Sequence, residues 1–379
     1  MILRINRRQS EGRSHSGVVG QRKSGVGLVL SVLCVLCPAC CLLCSCAGLG
    51  GGDPAVQTRK TLERCDPVMG DWRGIWRLAD GSESGPMEAQ VIALGEGKYK
   101  ANLLAEFDSR RPPIVVLEGQ REGSAVHFKG RQVASDTSGE LEVQAIIEKG
   151  KLRGAIKGDM VGGFGMEKVV RLSPTLGEEP PSGAAVLFDG KGFSEWEPTD
   201  KKSGVKSVKW KRAGEAMEAK KGAGSIVTKK KFKDFKLHLE FRTPFMPDKT
   251  GQARGNSGVY LQGRYEVQVL DSYGLEGLDN ECGGIYKVGA PLVNMCAPPM
   301  QWQTYDITFT APRFDGAGAK TQNAIVTIVH NGVTIHDKRE IPAPTGGALD
   351  KNMAEPGGIY LQDHGNPVQF RNLWLVETN

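Results

Sequence analysis

Cysteine is nearly absent from the body of this 379-residue chain: six of its nine cysteines precede residue 47, leaving Cys65, Cys282 and Cys296. No CxxC or HxxxH spacing accompanies them, which argues against a structural zinc site. The chain also lacks a Walker loop, GxGxxG, GxSxG and HExxH, so the commonest nucleotide-binding, esterase and zinc-protease classes drop out. Long amphipathic helical periods are scarce, and no internal repeat is visible. A net excess of positive charge is missing from the body as well. Of the net +6, the segment before Cys46 carries +5, with Arg4, Arg7, Arg8, Arg13, Arg22 and Lys23 against Glu11, so the remainder calls for no polyanionic partner.

What is present is glycine, 50 residues of it, and short β-branched runs bounded by Gly, Asn, Asp and Pro about every ten residues. That spacing predicts an all-β protein of two or three domains. Residues 1–46 read as an export signal, a basic start followed by the apolar run "VGLVLSVLCVLCPACCLLCSCAG". "LCSC", Leu43 to Cys46, fits either lipidation of Cys46 in a lipoprotein or cleavage by an ordinary signal peptidase. The expected location is the periplasm or cell envelope. Residues 47–65 read as a flexible tether.

From 66 to 172, runs such as "MEAQVIAL", "PIVVLEGQ" and "ELEVQAIIE" predict about seven strands, hence a small antiparallel sandwich or barrel. His127 stands alone there, and Trp72 and Trp76 read as core plugs, so this domain receives no chemistry. "SPTLGEEPPS", 173–182, has the Pro, Gly and charge of a linker, and a second β domain fills 183–379. In it, "HNGV" predicts a type I′ hairpin with His330 and His336 on the rim or surface. Cys282 and Cys296 fit either a disulfide closing a long loop or two reduced small hydrophobes.

Several strands of this domain present one apolar and one polar face, because side chains alternate along a strand. In "FKLHLEFRT" the polar set is His238, Glu240 and Arg242; in "YEVQVLD", Glu266 and Gln268; in "VQFRNLWLVE", Gln369 and Arg371. A wetted antiparallel sheet accounts for one such face. Glu, Gln, Asn, His and Arg beside the glycine-rich loops "ARGNSGVY" and "LQDHGNPV" equally fit a site that grips hydroxyls.

With "LFDGK", "NSGVYLQGRYEVQVLDSYG", "CGGIYKVGAPLVNM", "QWQTYDI", "HNGV" and "GGIYLQDHGNPVQFRNLWL" in this order, residues 183–377 resemble the 3-keto-disaccharide hydrolase family. The resemblance implies a concanavalin A-like jelly-roll sandwich with its ligand on the concave face. It also implies cleavage of glycosides whose sugar a partner glucoside 3-dehydrogenase has oxidised at C3. Such a ketone acidifies the C2 hydrogen, so a base and an enolate stabiliser suffice, whereas an ordinary glycosidase needs two flanking carboxylates. Glucanases of this superfold carry E-x-D-x-x-E. Here Gln268 takes the second place, and Asp271 lies at opposite parity to Glu266.

On this reading Glu266 or His364 is the base, Glu240 a nearby second carboxylate, and Asp271 or His364 acts on water or the leaving group. Arg242, Asn256, Gln268, Tyr286 and Arg371 are the candidates for holding the sugar. Each has a plainer reading: Asn256 shaping its turn, Arg371 pairing Glu240 or Glu266, Asp271 capping a loop. Lys287 stands where the family favours glycine. No cofactor is demanded, though a divalent metal held by Glu, Asp and His would suit an enolate. The alternative function is a non-catalytic, lectin-like module of a cell-surface protein.

Overall fold

The computed structural model describes residues 53–133, 139–159, 161–200 and 207–378; the segment read as an export signal, with Cys46, lies outside them. The described chain is nearly all β. Its one α-helix, α1 (Pro54–Cys65), corrects the tether reading of 47–65 over residues 54–65. Asp53 caps the helix by accepting from the Ala55 N–H at 2.8 Å, and Pro54 supplies a pre-set first turn. The helix then buries Leu62 against the domain that follows. Among the described residues no helix is long and apolar enough to cross a membrane.

Eight antiparallel strands close into a barrel: β1 (Gly70–Leu78), β2 (Glu83–Ala93), β3 (Lys98–Leu104), β4 (Val115–Glu122), β5 (Ala125–Val133), β6 (Glu140–Glu148), β7 (Lys151–Gly158) and β8 (Gly162–Val169). β8 returns to pair with β1, so no edge is left open. Side chains fill the interior, with fully buried Trp72 joined by Val91, Leu103, Leu117 and Phe128. Lys149 and Gly150, both left-handed, make the tight β6–β7 turn.

A two-sheet sandwich follows. One sheet orders β10 (Trp196–Pro198), β13 (Ile226–Thr228), β22 (Tyr360–Leu361), β15 (Ser257–Leu261) and β16 (Tyr265–Val269). The larger sheet orders β11 (Lys211–Ala213), β12 (Ala216–Glu218), β23 (Gln369–Glu377), β14 (Phe235–Arg242), β17 (Gln303–Thr310), β20 (Ala324–His330) and β21 (Val333–Ile341), with β9 (Ala185–Phe188) beside β23. Phe235, Leu237, Leu239 and Phe241 of the larger sheet meet Val259, Leu261, Tyr265, Val267 and Val269 of the smaller in one core. Rings bridge the layers, Tyr265 lying 5.6 Å from Phe309.

The "HNG" hairpin forms as predicted, with Asn331 and Gly332 left-handed and His330 opposite Val333. The histidines beside it differ from expectation. His330 shares the parity of Ala324, Val326 and Ile328, so it points into the core, bonds Gln303 at 2.8 Å, and is held down to about 3 by burial. His336 is buried too, with Nε2 2.8 Å from the Gly283 carbonyl oxygen.

Candidate functional site

Alternation puts the polar residues of the two sheets on opposite outer faces of the sandwich. The core-facing residues of β14 and β16 meet in the middle, so His238, Glu240 and Arg242 project from one side and Glu266 and Gln268 from the other. Two packed sheets stand about 10 Å apart, so these groups cannot share a substrate. The expected convergence of Glu240 with Glu266 is therefore corrected.

On the smaller sheet, Glu266 is 3% exposed. Its carboxylate lies above Gly258 on the adjacent strand, where any Cβ would overlap it, and within hydrogen-bonding reach of the Tyr260 hydroxyl. Burial pushes the Glu266 carboxyl up to about 7, with Tyr260 opposing the shift. Tyr260 itself is held well above the ordinary phenol value, by burial first and then by the Glu266 charge, so it stays protonated and able to donate. It donates to the Gly346 carbonyl at 2.9 Å and accepts from Gln362 Nε2 at 3.1 Å. Tyr360 stacks on its ring at 4.4 Å.

Loops complete this corner along the free edge of β16. The Glu266 N–H donates to Thr345 Oγ1 at 2.9 Å, and the Tyr286 N–H donates to the Glu266 carbonyl at 3.3 Å. Lys287 adopts φ 56°, which is why glycine suits that position, and its Nζ lies 5.5 Å from the Tyr286 ring centroid. Gln268 is committed locally: its amide bonds Gln252 Oε1 and the Asn280 carbonyl oxygen. Asn256 bonds the same Gln252, so it shapes the turn beside the site. Tyr260, Tyr360 and Gln362 were missed by sequence reasoning. Their signal was the same parity rule applied to "SGVYL" and "GGIYLQ".

The larger sheet's outer face carries a different network. Glu240 accepts from the Gly177 N–H at 2.6 Å, Asn372 Nδ2 at 3.0 Å and Arg371 Nε at 2.6 Å. His238 Nδ1 lies 2.6 Å from Asp306 Oδ1, and Thr175 Oγ1 donates to Asp306 Oδ2 at 2.7 Å. Arg242 donates to Gln369 at 2.7 Å, and the half-buried Trp302 ring receives both Arg242 and Arg371, at 4.7 and 4.2 Å. The 173–178 segment is thus laid against this face. Glu240 holds that segment through the Gly177 N–H and is paired by Arg371, as the plainer reading of Arg371 had it, while Arg242 is taken up by Gln369 and Trp302.

Asp271 is buried and paired with Arg254 at 2.6 Å, which ties the strand end to the "ARGNSG" loop; it faces neither substrate nor water. His364 is exposed on the loop after β22 and makes no hydrogen bond to a described residue. Asp363 beside it accepts from the Gly224 and Gly365 N–H groups. Cys282 and Cys296 are free thiols, so the disulfide alternative is not realised; Cys282 Sγ lies 3.3 Å from the Tyr305 hydroxyl. Among the described residues, the side chains arranged to hold a metal are Glu178, His238 and Asp306, away from Glu266.

Among solved structures, a candidate glycosyl hydrolase from Parabacteroides distasonis is 39% identical, with a TM-score of 0.48 over 53% of this chain and 86% of its own. A second candidate glycosyl hydrolase from the same organism is 21% identical, with a TM-score of 0.39 over 52% of this chain and 95% of its own. The fatty-acid-binding protein 1 of Echinococcus granulosus is 15% identical, with a TM-score of 0.19 over 28% of this chain and 98% of its own. No curated protein matches the chain. Residues 183–376, just over half of the chain, match the 3-keto-alpha-glucoside-1,2-lyase-like domain, and the chain belongs to that family.

Proposed function

We propose that the sandwich domain cleaves glycosides of 3-keto sugars, with Glu266 as the base that removes the C2 hydrogen. One observation carries this reading: a buried carboxylate, held near 7, above a glycine that leaves it room and beside tyrosine hydroxyls. A carboxylate in water is too weak a base for a carbon acid, and raising it toward the working pH strengthens it while leaving it ionised in part.

The C2–H electrons form the enolate with the C3 ketone, the C1–O bond breaks, and the aglycone oxygen takes a proton. Water then adds at C1 of the enone, losing a proton to the group that protonated the aglycone, and Glu266, its proton exchanged with solvent, reprotonates C2, so hydrolysis is complete without an outside oxidant or reductant. The hydroxyls of Tyr260, Tyr360 and Tyr286 and the Gln362 amide are the donors available to the enolate oxygen and neighbouring hydroxyls. His364, exposed at the end of β22, is the group for protonating the aglycone. Entry to Glu266 requires the loop carrying exposed Gly346 and Gly347 to yield. The reading extends to an exported protein, free or lipid-anchored through Cys46, that receives its substrate from a glucoside 3-dehydrogenase.

The test is aglycone release from a nitrophenyl 3-keto-glucoside and from the unoxidised parent. Release from the keto form alone, lost in Glu266→Gln, is expected. Equal release from the parent would sink the proposal, and sugar binding without release would favour the lectin-like alternative.

A further inference from the structure

We propose that Glu178, His238 and Asp306 form a divalent-cation site that fastens the segment between the two domains to the outer face of the larger sheet. Each offers one ligand atom, and the three atoms lie within 4.8 Å of one another. They come from three pieces of chain: Glu178 from the interdomain segment, His238 from β14 and Asp306 from β17.

The side chains of His238 and Asp306 and the backbone of Glu178 are held in place. The His238 ring is 1% exposed and stacks on Trp374 with 5.0 Å between centroids, which sets its plane. Asp306 is steadied by Thr175, and the Glu178 carbonyl accepts from Asn372 Nδ2 at 2.9 Å and Trp374 Nε1 at 3.3 Å. The Glu178 side chain is exposed and can swing the short distance needed to close on an ion.

Glu178 and Asp306 bring two carboxylates to this corner beside the His238 imidazole. One imidazole nitrogen and two carboxylate oxygens suit Zn²⁺ or Mn²⁺, ligated at about 2.0–2.2 Å with water completing the shell. A metal here stands on the far side of the sandwich from Glu266, so its role is to hold the linker, independent of the glycosidic chemistry. Thr175 and Gly177 already bond this face, and the ion adds a coordinated side chain one residue further on.

The test uses the full chain after chelator treatment, titrated separately with Zn²⁺ and Mn²⁺ by calorimetry, with protease cleavage at 173–182 as a second readout. One equivalent of at least one metal binds saturably and slows cleavage. Affinity falls at least tenfold in Glu178→Gln, a surface change that spares the fold, and in Asp306→Asn. Absence of stoichiometric binding, or undiminished affinity in Glu178→Gln, overturns the proposal.

Discussion

Glu266 is unusual because no cationic group among the described residues compensates its burial. A carboxyl raised from 4.5 to about 7 binds its proton more tightly folded than unfolded, so its contribution to stability is full below about 4.5 and is lost as pH rises through 7. The difference amounts to about 3 kcal/mol. Urea unfolding at pH 5 and pH 8 should show that loss as a pH-dependent difference between the native protein and Glu266→Gln, because His238, His330 and His336 titrate alike in both. Turnover should run the other way, rising with pH to a plateau above about 7 as the base form fills. A profile flat from pH 5 to 8 would rule Glu266 out as the base. Glu240 behaves oppositely: it is buried but well paired, and Glu240→Ala strands Arg371 and the Gly177 N–H, at a cost of roughly 3–5 kcal/mol in urea unfolding.

At the scale of strands, the bare face of β15 decides whether the Glu266 carboxylate fits. Gly258→Ala places a methyl in the space of that carboxylate and against the Tyr260 ring, so turnover should fall at least tenfold while the circular-dichroism spectrum stays that of an all-β protein. Unchanged turnover would show that the carboxylate is not held there. Period-two alternation was readable in the sequence and correctly put Glu266 with Gln268, and Glu240 with Arg242, on the polar face of their own strands. It could not reveal that the strands belong to different sheets, because strand order is set by long-range pairing such as β14 with β17 and β23. The same limit hid Tyr360: parity in "GGIYLQ" was readable, but the pairing of β22 with β15 that brings it to Tyr260 was not. α1 was legible in principle from Asp53-Pro54 and was lost to the glycines before it.

Across the whole molecule, the barrel and sandwich exchange core residues. Ile92 of the barrel belongs to the sandwich core, while Phe245 and Met300 of the sandwich pack on the barrel core. Tyr273 donates to buried Asp71 at 2.6 Å, and Asp71 pairs with Arg171 at 2.8 Å. Calorimetry should therefore show one cooperative transition for both domains, where two separated peaks would mean the contact is weak. Tyr273→Phe should lower stability by about 1 kcal/mol. The account's central claim is removal of the C2 hydrogen in this architecture, and it is tested most directly by turning over a 3-keto-glucoside in D₂O. The account predicts a 3-keto-glucose product with deuterium at C2, formed by the native protein and not by Glu266→Gln. A product that keeps its original C2 hydrogen would mean direct displacement at C1 and would contradict the account.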